Sequence, residues 1–261
     1  MISTLTDDDR AVSESLGYVI IFGVIVSCIA LVLLSGNQII NDTEKQTSFN
    51  GMKQSFDVIG SDLRKAAYGG TTVITTSVKV DSGSLYMKDA SSSDMRIEVY
   101  DDTNFDHYKY GKDIGAIGYT SDIYGQSIGI ENGAVIETYG GNGKTGSIMT
   151  SQPRIFYSAA TGTLMIDVIN LDGASVSQGG GVARIQTKSE DFSTETFTPS
   201  SSNVEIRVKT DNPGAWNDYF TNGPKLTVST ADNADPDHWS YAKITGVQKV
   251  IIVTYDMSVT F

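Results

Sequence analysis

From Leu16 to Leu34 the chain reads LGYVIIFGVIVSCIALVLL, nineteen residues without a charge. As a helix rising 1.5 Å per residue this run is about 28 Å long, close to the hydrocarbon thickness of a bilayer. A buried helix of a soluble protein is the competing reading, but a helix apolar on every side has no face left for water. The run is therefore expected to begin its life in a membrane. Over all 261 residues the chain is 39% hydrophobic and 19% charged, an ordinary globular mixture. What distinguishes it is segregation, because the uninterrupted apolar sequence is concentrated in this one early stretch.

The formal charge is −12 and no basic block occurs, so a nucleic-acid-binding surface has no electrostatic basis. The single cysteine, Cys28, lies inside the apolar run, and the two histidines are His107 and His238. Intrachain disulfides and Cys- or His-rich metal centres are thereby excluded, and no cofactor is expected.

The flanks say what kind of segment the run is. A secretory signal peptide needs a basic n-region, a shorter apolar core and small residues before the cut. Here the n-region is MISTLTDDDR, and the best downstream site, after Gly36, has Leu34 at its third preceding position. A plain anchor is an alternative, with Arg10 on the inner side, although Lys45 and Lys53 beyond the span weaken the charge asymmetry. The more specific pattern is Arg10-Ala11-Val12-Ser13-Glu14 directly before the apolar run. It resembles the class III signal of archaeal type IV prepilins and archaellins, which a prepilin-type membrane peptidase cuts ahead of a retained helix. The resemblance implies a cut between Ala11 and Val12 and a helix, including Leu16, Tyr18 and Phe22, that packs against copies of itself or related pilins. It also implies a role for Glu14 opposite a neighbouring subunit's N-terminal ammonium. A carboxylate in hydrocarbon is costly without such a partner, and the equally weighted alternative is that Glu14 rests among lipid headgroups.

Past Gly36 the pattern changes. Phe49, Met52, Phe56, Ile59, Leu63 and Ala66 recur at spacings of three and four, one stripe of a helix, with Lys53, Gln54, Asp57, Asp62 and Arg64 between them. Gly69-Gly70 supplies the stop, after a last turn expected to carry Arg64 and Lys65. A coiled coil competes, but the next upstream positions of that repeat are Asp42 and Lys45, so the stripe is expected to dock on the following domain. Gly36, Gly51 and Gly60 each cost about 1 kcal/mol of helix stability relative to Ala, which suggests a kink or a close approach. A continuous helix from Val12 to Tyr68 would be roughly 85 Å long.

From Thr71 onward β-structure is expected: TTVITTSVKV, SLYMK, RIEVY, AVIETY, RIFYS, TLMIDVIN, GVARIQTK, NVEIRVKT, KLTVST and KVIIVTYDMSVTF, separated by Gly, Asn, Asp and Ser. Few helices intervene, which favours a mainly antiparallel β-sandwich over α/β units. The exception is a short helix with Asn212 as N-cap and Pro213 at its first position, running on through Phe220. The expected class is thus α+β. The resemblance implies a leader over residues 1–11, followed by a helical stem expected over 12–70, of which 12–35 would be membrane or filament core and 36–70 amphipathic. A β-rich extracellular head spans 71–261. Beyond the signal, SLGYVIIFGVIVS, KQSFDVIGSDLRKAAYGG, GAVIETYGG, QPRIFYS and NPGAWNDYF are similar to blocks of an archaeal pilin-like family of membrane proteins without a settled biochemical role.

Motifs of chemistry are scarce. Gly143-Lys144-Thr145 lacks the earlier glycine of a phosphate-binding loop and is read as a turn. Asp232 to His238 is rich in oxygen ligands without EF-hand spacing, and reads as a solvated loop before a Ca²⁺ site. Asp101, Asp102, Asp106, His107, Tyr108 and Tyr110 suit a metal or sugar contact, or equally a polar connection between strands. No HExxH or GxSxG occurs, so no enzyme is expected. Asn41-Asp42-Thr43 is a glycosylation sequon just beyond the span. The leading expectation is a pilin-like subunit at the cell surface, membrane-inserted before assembly. A tethered binding or adhesion protein that never polymerises is the alternative, and an extracellular hydrolase the third.

Overall fold

The computed structural model describes residues 5–70, 73–102, 106–123, 125–141, 144–222 and 239–261. They divide into two units, Met1–Thr47 and Ser48–Phe261, each described by itself. Helix α1 runs Leu5–Gly69 and so contributes to both. It ends where Gly70 takes φ +66°, the left-handed conformation of a helix-terminating residue. Arg64 and Lys65 do not serve that end, contrary to expectation. The Arg64 Nη1 donates to the Gly133 carbonyl at 2.7 Å, and Lys65 pairs with Asp62 at 3.2 Å, one turn further back.

The second unit is β-rich. Its strands are β1 (Val73–Val80), β2 (Ser84–Lys88), β3 (Arg96–Tyr100), β4 (Tyr108–Asp113), β5 (Ala116–Thr120), β6 (Ser127–Glu131), β7 (Ala134–Gly141) and β8 (Lys144–Ser151). There follow β9 (Ile155–Ser158), β10 (Thr163–Asp172), β11 (Val176–Gln178), β12 (Gly181–Phe197), β13 (Asn203–Lys209), helix α2 (Pro213–Asn222), β14 (Trp239–Thr245) and β15 (Lys249–Thr260). They form three sheets, in the orders β1-β12-β15-β10-β9, β11-β2-β5-β6-β7-β8 and β14-β13-β3-β4. Pairing is antiparallel except between β10 and β15, which run parallel from Thr163↔Lys249 to Asp172↔Ser258. A parallel pair needs a long crossover, and the whole chain from β11 to β14 provides it.

Two apolar cores result, and the parallel pair belongs to both. The first halves of its strands give Leu164, Ile166, Val168, Val250 and Ile252 to a core shared with α2 and the four-stranded sheet. Their second halves give Ile169, Leu171, Met257 and Val259 to another, shared with α1 and the six-stranded sheet. Because successive side chains alternate, the two cores lie on opposite faces of the same strands.

The strand segments read from the sequence are strands here, apart from Lys225–Thr230, which lies outside the described residues. Strands β4, β5, β6, β8, β11, β14 and the second half of β12 were not expected. Gly111, Gly118, Gly129 and Gly146 interrupt four of them, and glycine lowers the strand signal. The compact unit that holds the sheets begins at Ser48, because the helical stripe from Phe49 supplies part of its core.

Candidate functional site

Within the first unit the segment Leu16–Leu34 exposes its apolar side chains on every side. Leu16 is 60% exposed, Tyr18 67%, Phe22 69% and Leu34 71%. Among the described residues this is the one helix long and apolar enough, by length and composition, to cross a membrane. Each such side chain gains roughly 1.5–3 kcal/mol on leaving water, so the segment demands an apolar environment. Its few polar groups are compatible with one: the Ser27 hydroxyl donates to the Gly23 carbonyl at 2.8 Å, and Cys28 is a free thiol. Arg10, Ala11, Val12 and Glu14 all lie within α1. Asn41 is exposed on the same helix, where the Thr43 hydroxyl of its sequon donates to the Ile39 carbonyl at 2.7 Å.

In the second unit Phe49, Met52, Phe56, Ile59 and Leu63 are buried, at 2% exposure or less, against Leu85, Ile117, Tyr119, Ile130 and Val135 of the six-stranded sheet. Polar contacts fix the helix on that sheet and on β1 of the five-stranded sheet. Lys53 Nζ lies 2.7 Å from the Glu137 carboxylate and 2.8 Å from the Tyr139 hydroxyl, and the Thr76 hydroxyl donates to Asp62 at 2.9 Å. Gly60 permits the closest approach, since a Cβ there would stand 2.8 Å from Val135 Cγ2. At Gly36 and Gly51 the same position meets nothing.

The residues expected around 101–110 do not converge on one ligand position. Asp101 is buried and accepts from the Ser200 backbone N–H at 2.7 Å and the Ser200 hydroxyl at 3.1 Å, tying down the loop before β13. Asp102 stands 3.0 Å from His107 Nδ1. Tyr108 is half exposed, whereas the Tyr110 hydroxyl is turned inward to share a 2.8 Å hydrogen bond with Thr254, and burial pushes it up to about 12. Asp106 is exposed, and no group of three or more His, Cys, Asp or Glu side chains among the described residues is arranged to hold a metal. Residues 232–238 and Gly143 lie outside the described residues; Lys144 and Thr145 open β8 instead of forming a turn.

Of the buried carboxylates that escaped the sequence reading, burial raises three, Glu131, Asp167 and Glu205. Glu131 is raised by burial, against which the Thr210 hydroxyl at 2.6 Å, the Asn212 amide at 2.7 Å and Trp216 Nε1 at 2.9 Å all donate to it. Asn212 precedes α2 as expected, but its side chain serves Glu131 and Thr138, and Ser147 of β8 accepts the Ala215 N–H instead. Asp167 on β10 and Glu205 on β13 are also buried, and among the described residues neither carboxylate accepts a hydrogen bond. Burial raises Asp167 to about 6, with Arg154 Nε 3.4 Å away opposing the rise, and raises Glu205 to about 7. Asn132, in the tight turn between β6 and β7, was missed too. Its amide donates to the Asp167 carbonyl at 3.0 Å and accepts from the Ile169 N–H at 2.7 Å, continuing the ladder of β10 where β9 stops. The signal was present in the dipeptide Asn132-Gly133 between two alternating runs, with φ of 50° and 73°.

No solved structure matches the chain. It is similar to an uncharacterized protein of Archaeoglobus fulgidus, 20% identical over an alignment that takes in 94% of this chain and 97% of the other. Residues 10–260, from just before the exposed apolar helix to the end of β15, match DUF7289, a family of unknown function, and the chain belongs to that family.

Proposed function

We propose that this chain is a type IV pilin-like structural subunit with a stem helix and a sandwich-type extracellular head. A prepilin-type peptidase cuts it between Ala11 and Val12, the helix holds it in the membrane, and assembly then buries the helix among copies of itself or related pilins. Its mechanism is packing, and the chain breaks no bond. The observation that carries this reading is the union, in one helix, of an apolar segment exposed all round at Leu16–Leu34 with a stripe at Phe49–Leu63 buried in the β-rich unit. The first part suits a filament core and the second fixes a head to it. The archaeal relative that matches along nearly its whole length is consistent with the archaeal character of the signal.

Mass spectrometry of the protein's N-terminal peptide, taken from surface-shed filaments and from membranes, tests both steps. The expected N-terminus is Val12, in filaments. Met1 retained, or a start beyond Gly36, would exclude this processing. A tethered binding protein is the second reading, favoured by the same exposed helix, which suffices as an anchor without polymerising. Processed protein found in membranes and absent from filaments would select it.

A further inference from the structure

The face of the six-stranded sheet opposite the Phe49–Leu63 stripe carries side chains in rows set by strand register. Tyr86, Gly118, Gly129 and Ile136 stand opposite one another across β2, β5, β6 and β7. Thr120, Ser127 and Thr138 form the row on one side, and Lys88, Ala116 and Glu131 the row on the other. Gly118 has a structural cause. The Tyr86 ring lies across it, and a Cβ there would stand 2.3 Å from Tyr86 Cζ. Gly129 has none, because a Cβ there would meet only the Ile117 carbonyl oxygen, at an ordinary 3.5 Å. Glycine in a strand interior weakens the strand, and at Gly129 it leaves the backbone open to the approach of another group. The space over Gly129 is a cleft of about 210 Å³, which Asp211 and Asn212 border from the loop before α2.

The lining selects the occupant. Lys88 and Asp211 face each other at the rim, 3.7 Å apart, and Glu131 already accepts from three donors. An anion would meet Asp211 and Glu131, and a cation would meet Lys88. Ser93, Ser127 and Thr138 line the cleft too; the two serine hydroxyls can donate and accept, as the hydroxyls of a sugar do, and Thr138, whose proton goes to Asn212 Oδ1, can accept. The cleft is smaller than the several hundred Å³ of drug-sized sites, which limits it to about one ring, and Tyr86 offers that ring an apolar wall. We propose that this cleft binds a single neutral sugar ring, such as the terminal hexose of a glycan, seated over Gly129 between Tyr86 and Asp211. The proposal is independent of whether the chain polymerises.

Saturation-transfer NMR and calorimetric titration test it, using the full chain in a detergent without a sugar headgroup. The probes are the methyl glycosides of glucose, galactose, mannose and N-acetylglucosamine. At least one is expected to bind saturably in the millimolar range or tighter, and Gly129→Val, which fills the cleft with a residue suited to a strand, to weaken it at least about tenfold at a melting temperature no lower than that of the wild type. Asp211→Ala, at an exposed rim position, is expected to weaken the same glycoside, and it decides the matter if Gly129→Val does not fold. Binding of none of the four, or equal binding by wild type and every folded variant, overturns the proposal.

Discussion

Asp167 lies beneath the end of α1, beside Arg154, whose guanidinium also covers the Tyr68 ring at 4.8 Å. Burial holds its carboxyl near 6, above the ordinary 3.8, so the folded state binds its proton more tightly than the unfolded state does. The stability this contributes is complete below about pH 4 and is lost as the pH rises through 6. Glu205, near 7, and Glu131, also raised, act with the same sign. Asp167→Asn keeps the shape and removes the charge, while Arg154, half exposed, can turn to water. The variant is expected to exceed wild type in stability by on the order of 2 kcal/mol at pH 7 and to show a flatter dependence between pH 4 and 6. Urea melts across that range check it, and a variant less stable than wild type at pH 7 would contradict the assignment. Such a carboxylate was not legible beforehand, because β10 reads TLMIDVIN and the alternation places Asp167 on a face without telling that the face is covered.

Helix α1 separates two glycines that look alike in sequence. Gly51 has open space where a Cβ would be, and Gly60 has Val135, buried and stiff at χ1, at 2.8 Å. Gly51→Ala is therefore expected to stabilise the chain by up to about 1 kcal/mol through helix propensity. Gly60→Ala gains the same propensity and loses more to overpacking, for a net destabilisation of roughly 1–2 kcal/mol. Thermal melts of the two variants should shift in opposite directions, and equal shifts would mean that the helix does not approach the sheet at Gly60. The same contrast shows what the sequence made legible. The stripe from Phe49 to Leu63 and the alternation in β13 and β15 announced themselves, because each repeats one face several times. Strands β5 and β6 did not, since Gly118 and Gly129 break the alternation, the first because the Tyr86 ring of a neighbouring strand lies across it. The parallel pairing of β10 with β15 is likewise a matter of topology, which no local pattern carries.

At the scale of the whole molecule, the two units differ in what they ask of solvent. Two of the 19 basic and six of the 31 acidic residues precede Ser48, so Ser48–Phe261 carries −8. Its large exposed apolar side chains, such as Ile148, Val182 and Phe192, are separated along the chain, and its two cores are filled from within. The stripe at Phe49–Leu63 belongs to it, and five large buried side chains at roughly 1.5–3 kcal/mol each bind the helix to the sheet without help from residues before 48. A chain beginning at Ser48 is therefore expected to be soluble without detergent and monomeric at a charge far from zero, with the β-rich circular dichroism of the full chain. The full chain, with Leu16–Leu34 exposed, is expected to require detergent or to self-associate. Light scattering on the two proteins, with and without detergent, reads the difference directly. If the fragment from Ser48 aggregates or fails to fold, the β-rich unit needs the earlier residues for its own stability, and the proposed division of labour between apolar helix and head is lost.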